Sequence, residues 1–467
     1  MEDKNLVLDV DENPKKVSQW LLYAIQHVLA MLVACITVPL LTGLPLGATL
    51  ISAGVGTIIY LLITKKKSPV FLSSSFAYLS PMMASLILGT SYTTWSDEAK
   101  AAVENGFGNY LAVMVGMVVI GVVYVIISII IKYVGTKWLD KLLPPVVIGP
   151  VIMVIGLGLA GSAINNINSV AVTGGSSYVS FAIAMVAVII TAVCAHYGKK
   201  MLSLIPFVCG MGGAYLLAVI LSLIGLATDT TWLQVVNFTP LTSLDFTTIN
   251  GYINTDFIFT RAFGENAAKF DAGTLLSVII IFLPVSLVTV CEHIGDHKNL
   301  GNIIGKDLVN GEPGLSRTLM GDGIATAVSG CICGAANTTY GENVAVIGVS
   351  RIASVNVIIL AAILSICFGF IAPFTALLST IPACITGGVS LILYGFIASS
   401  GVKMLIKEKV NFDITKNIIV ASVILVSGIG GLAISIGSAT LTSTAMSMIL
   451  GIIFNLILKD KKEVEAN

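Results

Sequence analysis

The chain has 467 residues, 56% of them hydrophobic and 11% charged, and its 25 basic and 25 acidic side chains balance to a formal charge of zero. A soluble globular protein carries roughly 25% charge, so a soluble fold is excluded, and without a basic excess nothing points to a nucleic-acid partner. The apolar residues fall in runs of about 20, apolar all round, the length needed to cross a bilayer core of ~30 Å. The chain reads as an all-α polytopic membrane protein that has membrane lipids as its surroundings.

The first 17 residues mix acids and lysines and end without a small-residue cleavage site, so the first apolar run, from Trp20, is expected to stay as a helix. Fourteen spans are expected: 18–42, 45–64, 69–90, 108–133, 142–163, 178–197, 202–226, 274–297, 317–335, 338–352, 355–379, 383–402, 416–434 and 438–458. The third and tenth are the least regular, short of apolar residues at one end and rich in Ser, Thr or Gly. The stretches 91–107 and 227–273 carry acids, Thr and Asn and read as solvated outward connections. Eight cysteines, among them Cys35, Cys194, Cys209 and Cys367, sit in apolar runs and read mostly as small hydrophobes. The Cys331-Ile332-Cys333 spacing is not that of a zinc site, and neither a disulfide nor a metal is expected.

Basic residues test the count, because loops on the cytoplasmic side carry an excess of Lys and Arg. Lys4, Lys15 and Lys16 precede span one; Lys65, Lys66 and Lys67 follow span two; Lys132, Lys137 and Lys141 follow span four. Lys199 and Lys200 follow span six, and Lys298, Lys306 and Arg317 follow span eight. Arg351 ends span ten, Lys403, Lys407, Lys409 and Lys416 follow span twelve, and Lys459, Lys461 and Lys462 close the chain. Only Lys100, Arg261 and Lys269 fall in opposite loops, so 22 of 25 basic residues share one side. Dropping a span would scramble this order. Both termini are therefore expected in the cytoplasm.

"LPPVVIGPVIMVIG" from Leu143 and "IPACITGGVSLILYG" from Ile381 begin spans five and twelve. A shift of 238 superposes Pro144 on Pro382, Gly149 on Gly387 and Val151 on Val389. Seven spans separate the copies, an odd number, so they enter the membrane in opposite directions, as in an inverted-topology repeat. Spans three and ten are also seven apart. They open "VFLSSSFAYLSP" and "ANTTYGENVAV", each with a polar, β-prone start before the apolar part. Both are expected to be half extended and half helical. Irregular backbone at membrane depth survives only where it is buried or lines a cavity, and paired interruptions in two repeats point to a transport site. Each following helix would aim its partly positive N-terminus there.

Four carboxylates fall within the spans: Glu292, Asp296, Asp322 and Glu342. A charge at the bilayer centre costs ~2.5–3.5 kcal/mol on the insertion scale, so each needs a reason. Glu292 and Asp296 are four apart and share a helix face, in a span that Pro284 is expected to kink. Two carboxylates in one dry site tend to share a proton, which suits a proton carrier. Asp322 reads as a helix-start acid favoured by the dipole. His293 and His297 point to other faces and read as structural or interfacial, and His196 as interfacial. His27 and Gln26 are expected to hydrogen-bond a broken neighbour.

Glu342 sits where extended chain turns into helix, beside Gly341 and its bare backbone. A carboxylate accepts hydrogen bonds and donates none. Facing Glu292 across a cavity, it suits a small, flat, neutral ligand with N–H donors. Backbone amides at the breaks would meet that ligand's carbonyls, and Phe76, Tyr340 and Tyr394 would close over its ring faces. A nucleobase fits. An amino acid would want a cation for its carboxylate, and the one basic residue near this depth, Arg351, belongs at the cytoplasmic end.

The chain resembles the nucleobase–ascorbate transporter (nucleobase:cation symporter 2) family, and within it the bacterial uracil permeases. The resemblance rests on "LLYAIQHVLAMLVACITVPLL", "SSSFAYLSP", "WLDKLLPPVVIG", "EHIGDHKNLGNIIGKDL", "NTTYGENVAVIGVSR" and "GGVSLILYGFIASSGVKMLI", and covers nearly the whole chain. It implies fourteen spans in two inverted repeats of seven. A core domain (18–135 and 274–380) would hold substrate against a gate domain (141–226 and 382–458), with 227–273 an extracytoplasmic loop. It further implies coupling to protons with no other cofactor, and a homodimer in the cytoplasmic membrane. By position, Glu292 is similar to the acid that binds the base, Glu342 to the signature acid of span ten, and Asp296 to the proton-linked position one turn on. Phe76, Tyr340, Gly341, Tyr394 and Ala34 match pocket positions. The family signature has Gly where Ala345 stands here and Thr where Ser350 stands. Glu rather than Gln at 342 favours uracil over xanthine or urate.

The expected function is a uracil:proton symporter. The alternatives are a xanthine or urate carrier of the same family and, from a different class, an anion transporter of similar inverted-repeat build, against which the acids speak. No nucleophile–base pair or metal cluster supports an enzyme.

Overall fold

The computed structural model describes residues 6–458 apart from 93, 200, 265–267, 333 and 437–438. Cys333 and, of the lysines that orient the chain, Lys4, Lys200, Lys459, Lys461 and Lys462 lie outside the described residues. The first half runs α1 (Val17–Thr42), α2 (Leu46–Ile63), β1 (Leu72–Ser74), α3 (Leu79–Leu86), α4 (Asp97–Glu104), α5 (Tyr110–Val134), α6 (Lys137–Leu142), α7 (Pro145–Gly158), α8 (Ala160–Ile167), α9 (Ser177–Tyr197), α10 (Met201–Leu204) and α11 (Pro206–Ala227). Two short helices, α12 (Thr239–Thr242) and α13 (Ile258–Ala262), follow. The second half runs α14 (Ala272–Ile304), α15 (Leu315–Ile332), β2 (Asn337–Thr339), α16 (Gly341–Ser350), α17 (Val355–Phe370), α18 (Ala372–Ser379), α19 (Ala383–Lys407), α20 (Thr415–Ile429), β3 (Ile434–Ile436), β4 (Ala439–Leu441) and α21 (Ser443–Ile457).

Among the described residues the expected spans fall on helices, some of them in two pieces: 142–163 is α7 with α8, 355–379 is α17 with α18, and 69–90 and 338–352 each join a strand to a helix. Among the described residues, α1, α2, α5, α7 with α8, α9, α11, α14 and α19 are long and apolar enough to cross a membrane. Local chemistry sets their ends. The Asn109 side chain accepts from the Ala112 amide at the start of α5 (3.0 Å), and Asp271 accepts from the Thr274 amide at the start of α14 (2.7 Å). Pro284 sits inside α14 without ending it.

Two expectations are corrected. Spans 416–434 and 438–458 yield helices of only 15 residues each, α20 and α21. At 1.5 Å per residue each is about 22 Å long, short of the ~30 Å core. The residues between them form an antiparallel hairpin, β3 with β4. Span 355–379 is broken into α17 and α18, and the 227–273 stretch, largely exposed as expected of a solvated connection, is tied to the bundle at that break. The Asn254 amide donates to the Phe370 carbonyl (2.8 Å) and the Ala372 amide to the Tyr252 carbonyl (3.0 Å). These bonds occupy the backbone groups that the break between α17 and α18 leaves open.

The packing obeys an inverted repeat. α5 lies on α15 as α2 lies on α17; α14 meets α5 as α1 meets α17; α9 pairs with α11 as α20 pairs with α21. Each of these statements maps onto its partner when span n is exchanged for span n plus seven. The crossing of α7–α8 with α19 is symmetric at the level of residues. A Cβ on Gly149 would stand 2.6 Å from Leu405 Cγ and 3.1 Å from the Gly401 carbonyl oxygen. A Cβ on Gly387 would stand 2.7 Å from the Ala163 carbonyl oxygen and 2.7 Å from the Ile167 nitrogen. Ala163 and Ile167 precede Gly401 and Leu405 by the same 238 residues that separate Gly149 from Gly387. At the centre, a Cβ on Gly156 would stand 2.4 Å from the carbonyl oxygen of Tyr394, its own counterpart. Small residues let the two backbones touch, as helix pairs in lipid require.

These contacts sort the helices into two groups. One contains α1, α2, α3, α5 and α14 to α17; the other contains α7, α8, α9, α11 and α19 to α21. The groups meet where α14 touches α7, α21 and the β3–β4 hairpin, and where α1 touches α11.

Candidate functional site

The two irregular spans are broken as the sequence predicts, and the breaks join. β1 pairs antiparallel with β2, with Leu72 opposite Thr339, Ser73 opposite Thr338 and Ser74 opposite Asn337. Thr and Ser have little to gain as helix interior here and pack well when extended. All six residues are buried, so their backbone and polar groups need partners. The Leu72 amide donates to Thr57 Oγ1 (2.9 Å), the Ser75 amide to the Ala336 carbonyl (2.9 Å) and Thr326 Oγ1 to the Asn337 carbonyl (2.7 Å). Asn337 Nδ2 donates to the Ser52 carbonyl (2.9 Å) and to Ser329 Oγ (2.8 Å). The ladder is thus held by α2 on one side and α15 on the other.

α16 begins at Gly341 immediately after this ladder, with Tyr340 as its N-cap and Glu342 in its first turn. α14 brings Glu292 and Asp296 alongside. Thr339 Oγ1 donates to Asp296 Oδ2 (2.9 Å), and Asp296 Oδ1 lies 3.5 Å from where a Cβ on Gly341 would stand. A Cβ at 341 would therefore stand in ordinary contact with that carboxylate. Glu292 interacts electrostatically with Asp296 and Glu342. All three acids are half-buried. They cluster at the meeting of a helix face and a helix N-terminus, which favours negative charge.

Two of the expected aromatic positions meet. The Phe76 ring, in the link from β1 to α3, meets the Tyr394 ring edge to face at 5.7 Å and 78°. The pair spans the two helix groups, and Tyr394 lies at the centre of the α7–α19 crossing. Tyr340 and Ala34 are buried. Ala34 lies on α1 beside Cys35, whose thiol touches Ser73 Oγ at 3.4 Å and so places this turn of α1 against β1. His27 Nδ1 meets Asn343 Oδ1 at 2.9 Å, the bond expected between α1 and a broken neighbour.

Asp322 is a correction. α15 starts at Leu315, so Asp322 is two turns inside the helix and not at its start. Its carboxylate meets His293 Nδ1 at 2.7 Å, and both side chains are 0% exposed. His293 Nε2 meets Thr318 Oγ1 at 3.0 Å, and the His293 ring stacks on His297 at 4.0 Å. His297 Nδ1 donates to the His293 carbonyl (2.8 Å), and its Nε2 meets the Tyr60 hydroxyl at 2.7 Å. Tyr78 and Thr289 share a hydrogen bond of 2.5 Å on the same side of α14. A polar network thus backs the acids through the body of α14. The spacing of His293 and His297 puts them on one helix face, but nothing in the sequence says that this face meets Tyr60, Thr318 and Asp322.

A permease-family model, that of the xanthine and uracil permeases, matches residues 18–437, which include every residue of the site. This chain belongs to that permease family. The permease is 39% identical over 464 residues to a uracil permease of Bacillus caldolyticus, covering 99% of this chain and 96% of that one. It is 38% identical to a uracil permease of Bacillus subtilis (strain 168), with 100% and 98% covered. To a uracil permease of Escherichia coli (strain K12) it is 32% identical, with 97% and 94% covered. Among solved structures it is similar to the murine anion transporter of solute carrier family 26, member A9, in the inward-facing state. That match has a TM-score of 0.63 and 10% identity, covering 96% of this chain and 69% of that one. The transmembrane domain of a cyanobacterial bicarbonate transporter matches with a TM-score of 0.59 and 14% identity, covering 96% and 98%. At those identities the two structures speak for the fold alone, the inverted-repeat transporter fold. The permease is a multi-pass membrane transporter and not an enzyme.

Proposed function

We propose that this permease imports uracil together with protons across the cytoplasmic membrane by alternating access. The observation that carries the proposal is the assembly of Glu292, Asp296 and Glu342 around the paired break, with Phe76, two residues past β1, in ring contact with Tyr394. Three carboxyl groups that accept hydrogen bonds and two aromatic rings match a flat, neutral molecule with N–H donors and a π-face. Uracil offers all of these. The relatives named uracil permeases support the choice.

Glu342 anchors the ring N–H groups, Glu292 binds the base and takes part in proton loading, and Asp296 carries the coupling proton. Phe76, Tyr340 and Tyr394 cover the ring, and Ala34 and the Gly341 backbone complete the wall. Residues 18–135 and 274–380 move as a core against a gate of 141–226 and 382–458, a division that follows the two contact groups. In this reading the chain crosses fourteen times with both termini in the cytoplasm and 227–273 outside, and two copies form a dimer. The anion-transporter alternative shares the fold, but an anion would meet three carboxylates at the break.

The test is uptake of labelled uracil into proteoliposomes with and without an inward proton gradient, challenged by unlabelled xanthine and thymine. Gradient-driven uptake indifferent to xanthine is expected. Uptake blocked by xanthine, or absent for uracil, would move the substrate to the purines and overturn the proposal.

A further inference from the structure

The segment before α1 is built into the bundle at a place that matters to the acids. The Val7 and Leu8 amides both donate to the Arg351 carbonyl (2.8 and 3.3 Å), and the Ala353 amide donates back to the Leu8 carbonyl (2.9 Å). Leu8 and Ile352 form a parallel bridge. The Val355 amide, first in α17, donates to the Val10 carbonyl (3.0 Å). The Ser354 side chain does not cap that helix, so the Val10 carbonyl takes the place of a capping side chain. The Val10 side chain is 3% exposed and belongs to the main hydrophobic core. Asp9 pairs with Lys306, just past the end of α14 (2.9 Å), and Asn13 with Asn356 (2.9 Å).

We infer that residues 7–13 are a positioning strap that fixes the cytoplasmic ends of α14, α16 and α17 to one another, with Val10 as its anchor. Rigid helix carries that constraint inward. α16 spans ten residues from Gly341 to Ser350, about 13–14 Å from first to last at 1.5 Å per residue. A shift at Arg351 therefore moves Glu342 as one body. A similar reach separates Asp296 from the Lys306 anchor. The strap also runs into α1, where His27 holds Asn343 beside Glu342. α16 is thus gripped at both ends by one continuous stretch of chain. The inference rests on the proposed site in taking Glu342 and Asp296 as the groups being positioned.

The test compares the full chain with Val10→Asp and Val10→Ile in detergent, by amide hydrogen exchange without any ligand. In Val10→Asp, exchange is expected to quicken at least tenfold over 351–356 and at least threefold over 337–343, while α19–α21 keep parent protection. Val10→Ile, which keeps the buried apolar side chain, is expected to match the parent. Faster exchange at 351–356 with unaltered protection at 337–343 would overturn the inference. If Val10→Asp is not recovered as a monodisperse protein, Val10→Ala is measured against the same two segments, with the same outcome refuting it. Uracil affinity, read in parallel, is expected to fall about fivefold in Val10→Asp. Since the exchange readout uses no ligand, a parent that failed to bind uracil would overturn the proposed function and not the strap.

Discussion

Glu342→Gln is the sharpest perturbation of the site. The substitution keeps the size and shape of the side chain and its place in the first turn of α16, but replaces an acceptor-only group with one that also donates. A hydrogen bond to a charged partner is worth about 1.5–3 kcal/mol, and Glu342 meets a ring N–H in the proposed pose. Losing it raises the uracil Kd about 10- to 150-fold. The fold should not suffer. Glu342 shares its surroundings with Glu292 and Asp296, so removing one of three negative charges relieves repulsion, and the thermal midpoint of the purified variant should hold or rise. The assay is equilibrium binding of labelled uracil to purified protein, with thermal unfolding in the same detergent. A Kd within threefold of the parent, in a variant that unfolds at the parent temperature, would refute the anchoring role.

Asp296→Asn is expected to retain uracil binding and gradient-independent counterflow but to lose accumulation driven by a proton gradient; undiminished uphill uptake would remove Asp296 from the coupling step. His293→Leu leaves the buried Asp322 carboxyl without its hydrogen-bond partner, at a cost of about 1–3 kcal/mol, and should lower the thermal midpoint by a few degrees. The double variant His293→Leu/Asp322→Leu should recover most of that loss, because a buried pair contributes less than breaking it costs; a double variant as unstable as the single would count against the pairing. Gly156→Val forces a side chain into the 2.4 Å gap at the Tyr394 carbonyl. It should cost about 1–3 kcal/mol of stability and slow uptake by displacing Tyr394, as thermal unfolding and uptake rates would show.

Much of the architecture is legible in the sequence because lipid imposes a simple grammar. Runs of about 20 apolar residues cross the membrane, and "SSSF" and "NTTYGEN" could not be ordinary membrane helix. Glu292, Asp296 and Glu342 were identifiable because a carboxylate in such a run needs a purpose. What could not be read has a physical reason in each case. Ser73 and Thr338 are 265 residues apart, and a three-residue strand carries no pattern long enough to name its partner. The break between spans 416–434 and 438–458 is legible from Gly and Ser there, but the alternating Ile434–Ile436 and Ala439–Leu441 are too short to be told from helix ends. Tyr252 and Asn254 bond through backbone groups that every residue possesses. Asp322 and His293 lie on different helices whose relative rotation no spacing encodes.

The α7–α19 crossing has a consequence for how the two halves of the chain can diverge. Most positions in one half face unrelated neighbours, so the halves are free to drift until no likeness remains. At the crossing this freedom ends. Gly156 touches Tyr394, its own counterpart, and the surroundings of Gly149 repeat those of Gly387. A change there alters both faces of the same contact, so a substitution on one strand of the duplication must be tolerated by its twin. The likeness between the segments around Pro144 and Pro382 lies where each half is the other's environment.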